Sequence, residues 1–150
     1  MRNTLLTVNY IVVLMFCFGP LIGQVTIEYK DLFEGEGIIL DTAEVARFFK
    51  GYCESVYQPT VSEVELAEGI LANFIYCNKK IRKTYNRQYG GIKIDGDQWI
   101  VINLLNFRTR RMRGMFSDWQ SIWEYGFGEF YEKNSVIYLV NLTNQSVKFY

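Results

Sequence analysis

The chain has 150 residues, enough for one domain and hardly for two. Its 16 basic and 16 acidic residues cancel, and it contains no histidine. That removes the Ser-His and Cys-His catalytic pairs and every histidine-dependent metal site.

Residues 1–23 read as an export signal. Arg2 is the only charge, an apolar core runs from Tyr10 to Phe18, Gly19-Pro20 breaks it, and Gly23 puts a small residue at the cut. The core is shorter than the ~20 apolar residues of a permanent span, and an uncut N-terminal anchor is the alternative. A lipid-modified Cys17 is disfavoured by Phe16 at the position where such signals carry a small residue. Cleavage leaves 24–150 as a single domain with 15 basic against 16 acidic residues, and a periplasmic, envelope-associated or secreted location is expected. Charge is segregated within it: Glu28–Glu68 holds ten acids and three basic residues, Lys79–Arg113 ten basic residues and two acids. Either two surfaces of one domain compensate each other, or a basic face awaits an anionic partner.

Gln24–Leu32 alternates Val25, Ile27 and Tyr29 with polar residues, a short strand pattern, and 33–37 is a loop. Asp41 caps a short helix, with Glu44 three residues on, Val45, Phe48 and Phe49 on its apolar side, and Gly51 at its end. Tyr52–Pro59 is extended, because Gln58 precedes proline. Thr60–Lys83 is then predicted as one long amphipathic helix: Val64, Ala67, Leu71, Phe74 and Ile81 share a face, and Thr60 with Glu63 makes a capping box. Glu63, Glu65 and Glu68 near its start and Lys79, Lys80, Arg82 and Lys83 near its end oppose the partial charges of the helix termini. Cys53 and Cys77 are the two thiols left after cleavage; in an oxidising compartment they can bridge, and in a reducing one they are small buried hydrophobes.

Beyond the helix the period changes to two. Tyr85–Ile94 reads as a strand with a bulge or bend at Gly90-Gly91, Asp95-Gly96 as a tight turn, and Gln98–Leu104 as the returning strand. Asn106–Trp123 is irregular and basic, Gly126 and Gly128 punctuate the chain, and Val136–Leu142 with Ser146–Tyr150 forms a last hairpin. The fold class expected is α+β: the long helix packed across a curved antiparallel meander of about four strands, with a short helix before it.

The run Tyr85-Asn86-Arg87-Gln88-Tyr89-Gly90-Gly91, the turn Asp95-Gly96-Asp97, Ile100-Val101-Ile102-Asn103 and Val140-Asn141-Leu142-Thr143 resemble small exported proteins of Bacteroidetes-type bacteria. The resemblance covers about Pro59 to Tyr150 and implies a cystatin-like helix-on-sheet arrangement. It carries no catalytic residues, and Glu124–Gly128 is a degenerate version of the glycine-rich acidic turn such proteins have before their third strand.

Four arginines in six residues, Arg108, Arg110, Arg111 and Arg113, followed by Trp119, form the most distinctive constellation. Basic residues among aromatics suit phosphate or sulfate oxygens, so an anionic polysaccharide, a lipid surface or an envelope protein is the expected partner rather than nucleic acid. A solvated basic loop is the plainer account. Trp99, Trp119 and Trp123 can stack on sugar rings or fill a core. Gln88-Tyr89-Gly90-Gly91 matches the inhibitory hairpin loop of cystatins poorly, because it lies inside a strand pattern. No cofactor or metal is expected. A non-catalytic binding module, using the basic loop or an open sheet face, is therefore the first functional expectation. A small hydrolase built on Asp118, Glu124 and Glu129 is the alternative, and a cystatin-type inhibitor the weaker one.

Overall fold

The computed structural model describes residues 26–29, 35–76 and 85–150. The expected export signal at 1–23, the predicted long helix beyond Tyr76, and Cys77 lie outside the described residues. The N-terminal elements are β1 (Thr26–Tyr29), β2 (Gly35–Ile39), α1 (Thr42–Phe49), β3 (Ser55–Tyr57) and α2 (Val61–Tyr76). They are followed by β4 (Tyr85–Ile94), β5 (Asp97–Asn106), α3 (Arg110–Met115), α4 (Glu129–Asn134), β6 (Ser135–Asn141) and β7 (Val147–Phe149). The fold is α+β.

Local chemistry explains where the helices begin. Asp41 Oδ1 accepts from Ala43 N at 2.6 Å to cap α1. At α2 the capping box is complete: Glu63 Oε2 accepts from Thr60 N at 2.7 Å and Glu63 N donates back to Thr60 Oγ1 at 3.3 Å. Glu44, expected to close a box with Asp41, instead pairs with Arg47 at 2.7 Å. Asp95 and Gly96 both take positive φ, 54° and 79°, the geometry that lets a two-residue turn follow the twist of β4 and β5.

The sheet is larger than the expected four-stranded meander. Its order is β1-β2-β4-β5-β6-β7, with β3 also paired to β4. β4 to β7 pair antiparallel in succession. β2 joins β4 in parallel, Ile38 opposite Gln88, and β3 joins the same strand antiparallel, Val56 opposite Ile92. The register of β4 on β5 runs unbroken through Gly90 opposite Val101 and Gly91 opposite Ile100, so the glycines make no bulge. They admit neighbours instead: a Cβ on Gly90 would lie 2.6 Å from Val45 of α1, and one on Gly91 2.6 Å from the Tyr57 carbonyl of β3.

Both faces of the sheet are covered, which corrects the expectation of an open sheet face. Ile100, Ile102 and Leu104 of β5, with Tyr138 and Val140 of β6, pack with Val64, Ala67, Leu71 and Ile75 of α2. Trp99, Val101 and Leu105 turn the other way, against Val45 and Phe49 of α1 and against Phe116, Trp119 and Trp123. The alternation is that of a strand buried on both sides, which shows in sequence as an almost continuous apolar run. Phe74 is only half-buried at the edge of the α2 layer, touching the Tyr138 and Phe149 rings.

Candidate functional site

The segment between β5 and β6 carries most of the residues expected to act. Asn106 Oδ1 accepts from Arg108 N at 3.0 Å, and Thr109 Oγ1 accepts from Met112 N at 3.3 Å, starting α3 inside the stretch expected to be irregular. None of the residues of α3 is buried. Arg108, Arg110, Arg111 and Arg113 are all exposed, and among the described residues none of them forms an ion pair. Trp119 does not share their surface. It is buried, its ring edge-on to Phe107 at 5.5 Å, and Trp99 and Trp123 are buried as well.

After α3 the chain is pinned to the sheet by two amide side chains that face each other across the β4–β5 ladder, Gln88 and Asn103. Gln88 Nε2 donates to the carbonyls of Trp119 and Ile122 at 2.5 and 2.6 Å. Gln88 Oε1 accepts from Glu124 N at 2.9 Å and from Asn103 Nδ2 at 3.0 Å, and Asn103 Nδ2 also donates to the Glu124 carbonyl at 2.6 Å. A loop without its own ladder thus satisfies its buried backbone groups through side chains. Gln88 is fully buried in mid-strand, so the run that resembles an inhibitory loop is not presented to a protease.

The carboxylates divide. Glu124 is buried, and burial followed by the charge of Asp118 pushes its carboxyl above the usual range. Glu129 is exposed and pairs with Lys133 one turn along α4, so it stands outside the Asp118–Glu124 pair. A second buried acid, Glu68, sits between α2 and the sheet: Arg87 Nε lies 3.1 Å from its Oε1, and the Tyr89 hydroxyl donates to the same oxygen at 2.7 Å. Burial raises Glu68, and Arg87 and Tyr89 offset that only in part. Cys53 is a half-buried thiol 3.6 Å from the Phe49 carbonyl, raised chiefly by burial. Its expected bridge partner, Cys77, lies outside the described residues.

One cleft was not anticipated. It opens where α4 meets the ends of β6 and β7, has a volume of ≈ 360 Å³, and is lined by Tyr125, Phe127, Tyr131, Phe149 and Tyr150 with Glu132 as the charged residue. Two glycines shape its rim. A Cβ on Gly126 would fall 2.2 Å from the Tyr131 ring, and Gly128 has φ 96°. Between them Phe127 is carried outward to 89% exposure, its ring edge-on to Tyr125 at 5.3 Å. Tyr150 closes the inner wall against Phe48, Phe49 and Tyr52. In the sequence Gly126 and Gly128 mark only punctuation, and the large ring of Phe127 between them is not read as part of a site.

Among the described residues no group of three or more acidic, cysteine or histidine side chains is placed to hold a metal ion. Among them, too, no helix is long and apolar enough to cross a membrane. No protein family, no curated protein and no solved structure matches the chain.

Proposed function

We propose that the chain is an exported, non-catalytic binding module that contacts an anionic partner through Arg108, Arg110, Arg111 and Arg113. The observation that carries this is α3 itself, a helix with no buried residue around which four exposed guanidinium groups crowd without an ion-pair partner among the described residues. Like charges this close repel, and neither packing nor ion pairing gives the segment a structural use for them. Phosphate or sulfate oxygens relieve the repulsion, and guanidinium forks suit them. Trp119 serves from beneath, anchoring the segment rather than touching the partner. Export rests on the features of residues 1–23, and a cystatin-like relation to the exported Bacteroidetes-type proteins is supported by α2 lying against β4–β7. The expected open sheet face is not part of the proposal, since both faces are covered.

Binding to vesicles containing an anionic lipid, and to a sulfated polysaccharide, tests it against neutral vesicles and an uncharged polysaccharide. Retention should fall as salt rises and be abolished when all four arginines become glutamine, with the melting temperature nearly unchanged. Unchanged retention of the quadruple variant removes the arginines from the function.

Glu124 favours a second reading, a small carboxylate hydrolase, because its raised carboxyl beside Asp118 is the pairing that acid catalysis uses. Turnover in a hydrolase screen that disappears in Glu124→Gln would establish it in place of the first.

A further inference from the structure

We infer that the aromatic cleft at the α4–β6–β7 corner is a binding site for a small quaternary-ammonium compound. Its wall carries the rings of Tyr125, Phe127, Tyr131, Phe149 and Tyr150 and a single charged side chain, Glu132. No lysine or arginine lines it. Of the ammonium groups next to lining residues in the chain, Lys133 is engaged by Glu129 and Lys148 lies over the Trp99 ring. The lining therefore has a net negative charge and an excess of π-electron surface, both of which attract a cation.

The ratio of rings to carboxylates selects which cation. A primary ammonium is strongly hydrated and loses water reluctantly to a wall that offers one carboxylate. A methylated ammonium has no N–H to satisfy and presents polarised methyl groups, so five rings and one carboxylate suit it better. The volume of ≈ 360 Å³ falls in the range of small-molecule sites and exceeds that of a trimethylammonium head, leaving room for a short substituent. The rim supports the same conclusion. Phe127 stands 89% exposed on two glycines whose geometry no ordinary residue would adopt without displacing Tyr131 or straining the backbone. An apolar ring so placed is left mostly in solvent with an edge-on contact to Tyr125, and a ligand in the cleft would cover it.

The site uses none of the arginines around α3, so it stands or falls separately from the anionic contact. The test is a titration of the full chain, followed by NMR or calorimetry, with three probes: choline, its neutral carbon isostere 3,3-dimethylbutan-1-ol, and methyl glucoside. Choline should bind on the order of tenfold tighter than the isostere, the difference that replacing nitrogen by carbon removes. Glu132→Gln should weaken choline several-fold and leave the isostere unchanged, while Phe127→Ala should weaken both. Neither side chain is part of the core, so both variants should keep the parent melting temperature. Equal affinity for choline and its isostere would make the cleft a merely apolar groove and overturn the inference. Tighter binding of methyl glucoside than of choline would make it a sugar site, with the same consequence. Absence of binding by all three probes overturns it as well.

Discussion

Replacing Gln88 by alanine should be among the most damaging polar substitutions in the described part of the chain. The side chain makes four hydrogen bonds, to the carbonyls of Trp119 and Ile122 and from Glu124 N and Asn103 Nδ2. Truncation leaves those partners in place without it, and a buried polar group left unpaired costs about 1–3 kcal/mol. Ile122 is exposed enough for water to replace part of the loss at its carbonyl. The expected total is about 3–5 kcal/mol, a large part of the roughly 5–15 kcal/mol by which a domain is stable. Asn103→Ala should cost less, about 2 kcal/mol, because it removes two of the bonds and leaves Gln88 in place. The double variant should lose less than the sum of the two, since the Gln88–Asn103 bond is counted in both. Urea unfolding followed by tryptophan fluorescence reports on the loop directly, because Trp119 and Trp123 lie within it. A loss below about 1 kcal/mol for Gln88→Ala, or strict additivity in the double variant, would show that the amides do not hold the segment.

Four further substitutions test the packing layers and the buried acid of the loop. Leu71→Ala should cost roughly 2–5 kcal/mol on chemical denaturation, whereas Phe74→Ala should cost nearer 2 because its ring is half-buried. Gly90→Ala should destabilise by about 1–3 kcal/mol, its methyl being forced against Val45, and Val45→Ala in the same chain should recover part of the loss in thermal unfolding. Glu124→Gln concerns pH. The folded state holds this carboxyl above its ordinary value of 4.5, so its contribution to stability is present in acid and is lost as pH rises through the folded value. The variant should therefore melt higher than the parent at neutral pH and show a flatter decline with rising pH. An identical pH profile for the two would mean that the carboxyl is not desolvated.

Periodicity made α1, α2 as far as Tyr76 and the central hairpin legible, because these depend on residues close in sequence, whereas α3 lies in a stretch expected to be irregular. Thr60 with Glu63, Asp41, and Asp95-Gly96 each act within three residues of themselves. What periodicity did not reveal depends on residues far apart. The parallel pairing of β2 with β4 joins Ile38 to Gln88, fifty positions on, and no local pattern encodes it. The second covered face was written in the apolar run from Trp99 to Leu105, which alternation alone treats as one face of a strand. The arginines were conspicuous from composition, but Trp119 beside them was misleading: adjacency in sequence placed it with a ligand, and its packing against Phe107 and Phe116 places it in the core. The aromatic cleft assembles Tyr125 and Phe127 from the loop before α4 with residues of α4, β6 and β7 and with Tyr150, so no local pattern announced it.

The stretch Arg87–Gly91 shows why a distinctive run of residues need not mark chemistry. Successive side chains of a strand point to opposite faces, and here each one meets a different element. Arg87 and Tyr89 point to α2 and hold Glu68 between them. Gln88 points the other way and pins the loop through Trp119 and Ile122. Gly90 leaves space for Val45 of α1, and Gly91 for Tyr57 of β3. Five consecutive residues thus dock both helical layers, one loop and one edge strand on the sheet. A one-residue slip in this strand would present an amide to the Glu68 carboxyl and a guanidinium to the loop carbonyls, and would put a Cβ where α1 approaches. The composition of the run is explained by the neighbours that its register assigns to each residue, and none of the five lines the aromatic cleft.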